Sequence, residues 1–187
     1  MNDSQLTIAC KKQDRSAQKA LYERYAPLMM TVCLRYSKNE ETARDLLHDG
    51  FIQAFTQINT YSGKGSFEGW LRRIFVNLAL ENFRKEQKKH LFLEEYKAQM
   101  DEIDTDDAFE FEGVSRDEIL KLITELPHGY QTVFNLFVFE DMSHKEIAQQ
   151  LGISEVSSRS QFSRAKAILQ KKVAAIQKKD VKHLTKL

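Results

Sequence analysis

Arg159, Ser160, Ser163 and Arg164 are closely spaced in the stretch LGISEVSSRSQFSRAKAIL, which runs from Leu151 to Leu169. Guanidinium groups interleaved with small hydroxyls suit contact with a polar, anionic edge. Arg can bind guanine bidentately, and Ser can bond to bases or phosphates without bulk. A solvated helix face would favour Glu, Lys and Ala, so ordinary polar surface is the competing reading. A second group consists of acids. Asp45 and Asp49 share a helix face, with His48 beside them. Such a set could serve a nuclease, but no third ligand accompanies it, and the acids fit a protein interface equally well. The histidines (His48, His90, His128, His144, His183) are scattered. Cys10 and Cys33 stand apart without a CxxC pair, so they are expected as buried free thiols in a reducing cytoplasm. The segment GKGS suggests a phosphate loop, but that pattern needs Gly where Ile58 stands and Ser or Thr where Gly65 stands. No metal and no cofactor is expected.

The elements that would position these residues are helices. Seven glycines and two prolines in 187 residues leave few turn signals and favour an all-α chain. Leu21, Tyr25, Leu28 and Val32 follow helical spacing, as do Leu47, Phe51, Ala54 and Phe55. A loop is expected at NTYSGKGSF. The following WLRRIFVNLALENFRKEQKK puts Leu71, Ile74, Phe75 and Leu78 on one face and Arg73, Asn77, Glu81 and Arg84 on another. Residues 91–113 lose periodicity and become acidic, as a linker would.

Beyond them, SRDE at 115–118 and SHKE at 143–146 are capping-box signatures. Val114 with Ile119, and Met142 with Ile147, occupy the staple positions. Pro127 breaks one helix and is placed in the first turn of the next. Gly152 suits a left-handed helix end, and Ser154 caps the stretch that follows. A short helix, a glycine turn and a second polar helix form a helix-turn-helix pattern. On that second helix Phe162, Ala165, Leu169 and Val173 would face the core. Arg159, Ser160, Ser163 and Arg164 would project away, on the half that enters a major groove in this motif. The expected architecture is two small helical domains, 4–90 and 114–180, joined by an acidic linker at 91–113.

Charge is segregated along the chain although the net value is only +1. From Arg72 to His90 six Lys or Arg stand against two acids. From Phe92 to Glu118 eleven acids stand against two basic residues, and from Arg159 to Lys182 eight basic residues stand against Asp180. Two basic regions flanking an acidic one imply polyanion binding at two places. No apolar run is long enough to span a bilayer, and no signal peptide is evident at the N-terminus.

ITELPHGYQTVFNLFVFEDMSHKEIAQQLGISEVSSRSQFSRAKAIL closely resembles region 4 of sigma-70 family transcription initiation factors. SAQKALYERYAPLMMTVCLRYSKNEETARDLLHDGFIQAFTQI together with SFEGWLRRIFVNLALENFRK resembles region 2. Both regions with a short linker resemble the extracytoplasmic-function (ECF) group. The resemblance implies a non-enzymatic, cytoplasmic factor whose partners are core RNA polymerase and promoter DNA, with an anti-sigma factor as a possible further partner. In ARDLLHDGFIQAF it implies a polymerase-clamp interface at Asp45, Leu46, Asp49 and Phe51, with Leu46 and Phe51 equally readable as core. It implies minus-ten contacts, made to single-stranded bases, by Tyr61, Lys64, Phe67, Arg73, Asn77, Arg84 and Lys85. Trp70 reads as core. It implies minus-thirty-five contacts, made to duplex, by Ser157, Arg159, Ser160, Ser163 and Arg164. Arg44, His48, Gly50, Val156 and Ser158 depart from the family pattern. The alternatives are a stand-alone DNA-binding regulator, with 4–90 as sensor or dimerisation domain, and the nuclease already mentioned.

Overall fold

The structure is a computed structural model and describes residues 2–90 and 114–184, so the acidic linker expected at 91–113 lies outside the described residues. The chain divides into two compact units, Met1–Phe92 and Leu93–Leu187. Both are helical, with no strand among the described residues.

The first unit begins with α1 (Asp3–Lys11), which no sequence signal above had singled out. Asn2 and Gln5 form a reciprocal capping box at its start, leaving fewer orphan amides. Leu6, Thr7 and Cys10 turn inward at helical spacing. Asp14 caps α2 (Arg15–Tyr36) by accepting from the amides of Ser16 and Ala17. The buried face of α2 runs through Ala17, Leu21, Tyr25, Met29, Val32 and Tyr36. Leu28, expected on that face, is 37% exposed, and Met29 takes the inward position one residue later. Asn39 caps α3 (Glu40–Gln57) with Thr42. A single 3-10 turn, Ile58–Thr60, leads to the loop before α4 (Phe67–His90). Cys10 and Cys33 are buried free thiols. Burial pushes the Cys33 thiol up to about 12, so it stays protonated and acts as a small core hydrophobe.

In the second unit α5 (Arg116–Thr124) starts at the Ser115–Glu118 capping box. Val114 and Ile119 both pack on a core of Leu122, Ile123, Leu126, Phe134, Ala165, Leu169 and Val173. α6 (His128–Phe139) follows. Pro127 is its N-cap, with φ −52° and ψ 137°, one position before the first turn where it was expected. α7 (His144–Leu151) starts at the Ser143–Glu146 box and ends at Gly152, whose φ of 69° is the left-handed conformation that glycine adopts without strain. α8 (Glu155–Leu184) completes the unit and packs against α5, α6 and α7. Ala165, Leu169 and Val173 are buried as their spacing predicts, and Phe162 is half-buried against the same core.

Gly50 shows why one departure from the family pattern occurs. A Cβ at this position of α3 would collide with the ring of Phe75 on α4. That ring stands edge-on to Phe51, at 5.4 Å and 77°. The two helices are packed so that an aromatic ring fills the space a side chain would take. Gly in a helix costs about 0.8–1 kcal/mol relative to Ala. Gly50→Ala is nevertheless expected to destabilise the first unit, by about 1–3 kcal/mol, through overpacking. Urea unfolding of the full chain measures this, and Phe75→Leu in the same chain should recover part of the loss. A Gly50→Ala protein more stable than wild type would show that the ring moves aside freely.

Candidate nucleic-acid interface

In the first unit the polar surface is built on the loop 61–66 and one side of α4. Gly63 and Gly65 have φ of 80° and 77°, a region glycine adopts without strain and L side chains rarely enter. They hold Lys64 exposed between them. The Tyr61 hydroxyl donates to the Gly65 carbonyl at 2.9 Å, which closes the loop on itself. The Tyr61 ring lies 5.3 Å from Phe67 and 5.5 Å from Trp70, and these two are 5.4 Å apart. Tyr61 and Trp70 are half-buried, so each presents part of a ring to solvent, while Phe67 is buried and supports them from below. Ser66 starts α4 by accepting from the Gly69 amide at 3.0 Å.

Arg73, Asn77 and Arg84 are exposed on one side of α4. Lys85 is exposed too and pairs with Glu81 at 2.8 Å, which holds the Glu81 carboxyl below its usual range. Partly exposed aromatic faces beside a line of cations can receive unstacked bases and their phosphates.

On α3 the expected interface residues divide. Asp45 and Asp49 are exposed, whereas Leu46 and Phe51 are buried and position the helix. Sequence reading missed two neighbours. Ile52 is 54% exposed on the same side as Asp45 and Asp49, and Tyr22 of α2 lies against Phe51 with ring centroids 4.6 Å apart and is 41% exposed. Ile52 stands seven residues after Asp45 and three after Asp49, the spacing of a shared helix face, so the signal was available. The departure at Arg44 has a local partner, since Arg44 bonds Glu40 at 2.6 Å one turn earlier. His48 is exposed.

In the second unit the four serines around Arg159 have different tasks. Ser154 Oγ accepts from the Ser157 amide at 3.0 Å and lies 2.8 Å from Ser157 Oγ, so Ser157 belongs to the cap of α8. Ser158 is fully buried, and its hydroxyl meets His144 Nδ1 of α7 at 2.9 Å. This bond satisfies a hydroxyl that would otherwise be buried without a partner. Ser160 and Ser163 are half-buried. Arg159 is exposed and pairs with Glu155 at 2.7 Å. Arg164 is half-buried, and its Nη1 donates to the Tyr130 hydroxyl at 3.3 Å. The remaining departure, Val156, is exposed in the first turn of α8.

His144 is stacked on Phe137 at 4.6 Å and 17°, with Phe162 5.6 Å away. Burial lowers its proton affinity first, and the nearby Arg159 charge adds to this, against a smaller opposite effect of Glu155.

The family description Sigma-70 region 2 matches residues 21–89, and Sigma-70, region 4 matches residues 116–169. The first span lies in the first compact unit and the second span in the other. Together they cover well over half of the chain, which belongs to the sigma-70 family, in its extracytoplasmic-function group. The chain is 26% identical over 186 residues to the RNA polymerase sigma-H factor of Pseudomonas aeruginosa, covering 90% of this chain and 92% of that protein. It is 26% identical over 173 residues to the ECF RNA polymerase sigma factor SigW of Bacillus subtilis, covering 87% and 92% respectively. Among solved structures it is similar to CnrH in complex with the cytosolic domain of CnrY. There the identity is 20%, the coverage is 92% of this chain and 97% of that one, and the TM-score is 0.48.

The His144 environment has a pH signature. The unfolded chain takes up the imidazole proton more readily than the folded unit, so unfolding is coupled to proton uptake. The His144 contribution is full above the ordinary value of 6.5 and is lost as pH falls through and below it. In denaturant unfolding at about pH 7.5 and about pH 5.5, wild type should lose more stability on acidification than His144→Gln. Equal losses would show that His144 does not couple.

Proposed function

We propose that the chain is a transcription initiation factor that binds core RNA polymerase and directs it to specific promoters, recognising a minus-ten and a minus-thirty-five element and promoting melting. The observation that carries this is the order of two family regions on one chain, each within its own helical unit and each unit presenting a cationic polar face. The factor is not an enzyme, since the polymerase supplies the chemistry, and it acts in the cytoplasm where polymerase and DNA meet. Among the described residues, no helix is long and apolar enough to cross a membrane.

The roles follow from the surfaces. Asp45 and Asp49, with Ile52 one turn beyond Asp49 and Tyr22 as a candidate neighbour, form the polymerase-facing surface, with Leu46 and Phe51 holding α3 behind it. Tyr61, Lys64, Arg73, Asn77, Arg84 and Lys85 meet the melted minus-ten strand, and Phe67 underlies the base pocket. Arg159, Ser160, Ser163 and Arg164 face the minus-thirty-five duplex, with Ser157 at the cap. An anti-sigma factor remains a further protein partner of this reading.

The decisive experiment mixes the protein with bacterial core polymerase and tests for a stable complex and promoter-directed transcription. Failure to form any complex with core removes this reading and leaves the stand-alone regulator. Lys64→Ala with Asn77→Ala should reduce permanganate reactivity of melted thymines while the upstream footprint of holoenzyme persists. Loss of the upstream footprint with opening intact would reverse the two roles. Arg159→Ala should cost about 1–3 kcal/mol, confined to one base position. Lys171→Ala, on the exposed later part of α8, should weaken binding evenly and reduce the salt slope by about one. Uniform loss across sequences for Arg159→Ala would make Arg159 a backbone contact.

A further inference from the structure

The helix α1 lies before residue 21, where the region 2 match begins. It nevertheless reaches the loop that the minus-ten reading depends on. Lys11, the last residue of α1, donates from Nζ to the main-chain carbonyl of Tyr61 at 2.7 Å, across fifty positions of sequence. The other two polar groups of Tyr61 are also engaged. Its amide donates to the Ile58 carbonyl at 3.2 Å and its hydroxyl donates to the Gly65 carbonyl at 2.9 Å.

At the other end of α1, Asp3 accepts from the Tyr25 hydroxyl and from Arg24, each at 2.7 Å. Tyr25 in turn stands edge-on to Phe67 at 5.3 Å. Phe67 touches both Tyr61 and Trp70. Two routes therefore join α1 to the aromatic base of the loop, one polar through Lys11 and one through Asp3, Tyr25 and Phe67. At the loop tip nothing lies within 4 Å of a Cβ built at Gly63 or Gly65, and the Tyr61 hydroxyl ties the Gly65 carbonyl back to the braced base.

We infer that α1 is a brace for the minus-ten loop and that Lys11 is a positioning residue, holding the Tyr61 carbonyl so that the Tyr61 and Trp70 faces are preformed before DNA arrives. A loop held in its receptive shape pays less ordering entropy when a base enters. A charge-assisted bond to a carbonyl is suited to this, being stronger than a neutral one and directed at one atom. The inference rests on the promoter-opening reading for its consequence, but the brace itself can be observed in the free protein.

Trp70 is the only tryptophan of the chain and sits in the braced cluster, so its fluorescence reports the loop. In the full-length Lys11→Met protein, acrylamide quenching of Trp70 should rise about twofold, with the thermal midpoint of unfolding little changed, because one part-exposed bond contributes little to global stability. Lys11→Arg, which keeps a charged donor, should restore the wild-type value. In holoenzyme, Lys11→Met should lower permanganate reactivity at the minus-ten element by something on the order of tenfold, with the upstream footprint and the salt slope of opening unchanged. Unchanged Trp70 quenching would overturn the brace. A salt slope lowered by about one, with quenching unchanged, would instead make Lys11 a phosphate contact. Raised quenching in a protein whose wild-type holoenzyme opens no promoter would keep the brace and remove the promoter-opening reading.

Discussion

The ring of Phe75 over Gly50 governs the geometry of the first unit. At that point α3 offers no side chain, so α4 comes close enough for an aromatic ring to lie against backbone. The contact sets the rotation of both helices about their axes. On α3 it turns Asp45, Asp49 and Ile52 to the opposite, solvent side. On α4 it leaves Arg73, Asn77 and Arg84 outward. The acidic face of α3 and the cationic face of α4 are thus placed by one apolar contact that belongs to neither. Phe51 strengthens it by packing edge-on to Phe75 and against Tyr22 at the rim of the unit.

The second unit is organised by a different device. Its α8 is tied to α7 by a buried hydroxyl meeting an imidazole, and that imidazole packs against two phenylalanine rings that also touch each other. A buried serine without a partner would be costly, and His144 removes the cost by supplying one. A polar bond of fixed length also defines one helix register more narrowly than aliphatic packing does. The serine-rich composition that first suggests close approach to DNA therefore has three origins. Ser157 finishes a cap, Ser158 locks two helices together, and Ser160 and Ser163 stand half-buried on the side of α8 that carries Arg159 and Arg164.

Much of this was legible because the signals are local. Both capping boxes, the inward packing of Val114 and Ile119, the left-handed Gly152 and the inward face of α8 depend on residues at most a few turns apart. The misses are of two kinds. Neighbouring apolar residues can exchange places, as Met29 does with Leu28, because spacing defines a face only to within one residue. Pro27 also sits inside the 22-residue α2 without ending it, since packing along the rest of the helix outweighs one missing amide. Other contacts are invisible to pattern because they join distant positions. Lys11 with Tyr61, Asp3 with Tyr25, and His144 with Ser158 each need the tertiary fold before the partners can be recognised. The contacts of α1 with Tyr61 and Tyr25 belong to the same class. Its capping box was readable, but what it braces was not.

A chain of net charge +1 has little long-range attraction for a polyanion, so its cations must be effective where they stand. Several of them are already paired on their own helices, Lys85 with Glu81 and Arg159 with Glu155. Exposed pairs of this kind contribute little, so a phosphate or a base edge can displace the carboxylate at small cost. The same carboxylates stay close to the bound strand and repel it. The gain from each phosphate contact is therefore a difference between two similar terms, which keeps sequence-independent affinity low. A guanidinium that makes two directed bonds to a base edge retains its advantage, because the geometry of that contact is not reproduced by the carboxylate it leaves. Pairing on the helix surface thus weakens attraction to any DNA more than it weakens discrimination among sequences. That balance suits a protein whose position on a chromosome has to be decided together with a larger partner.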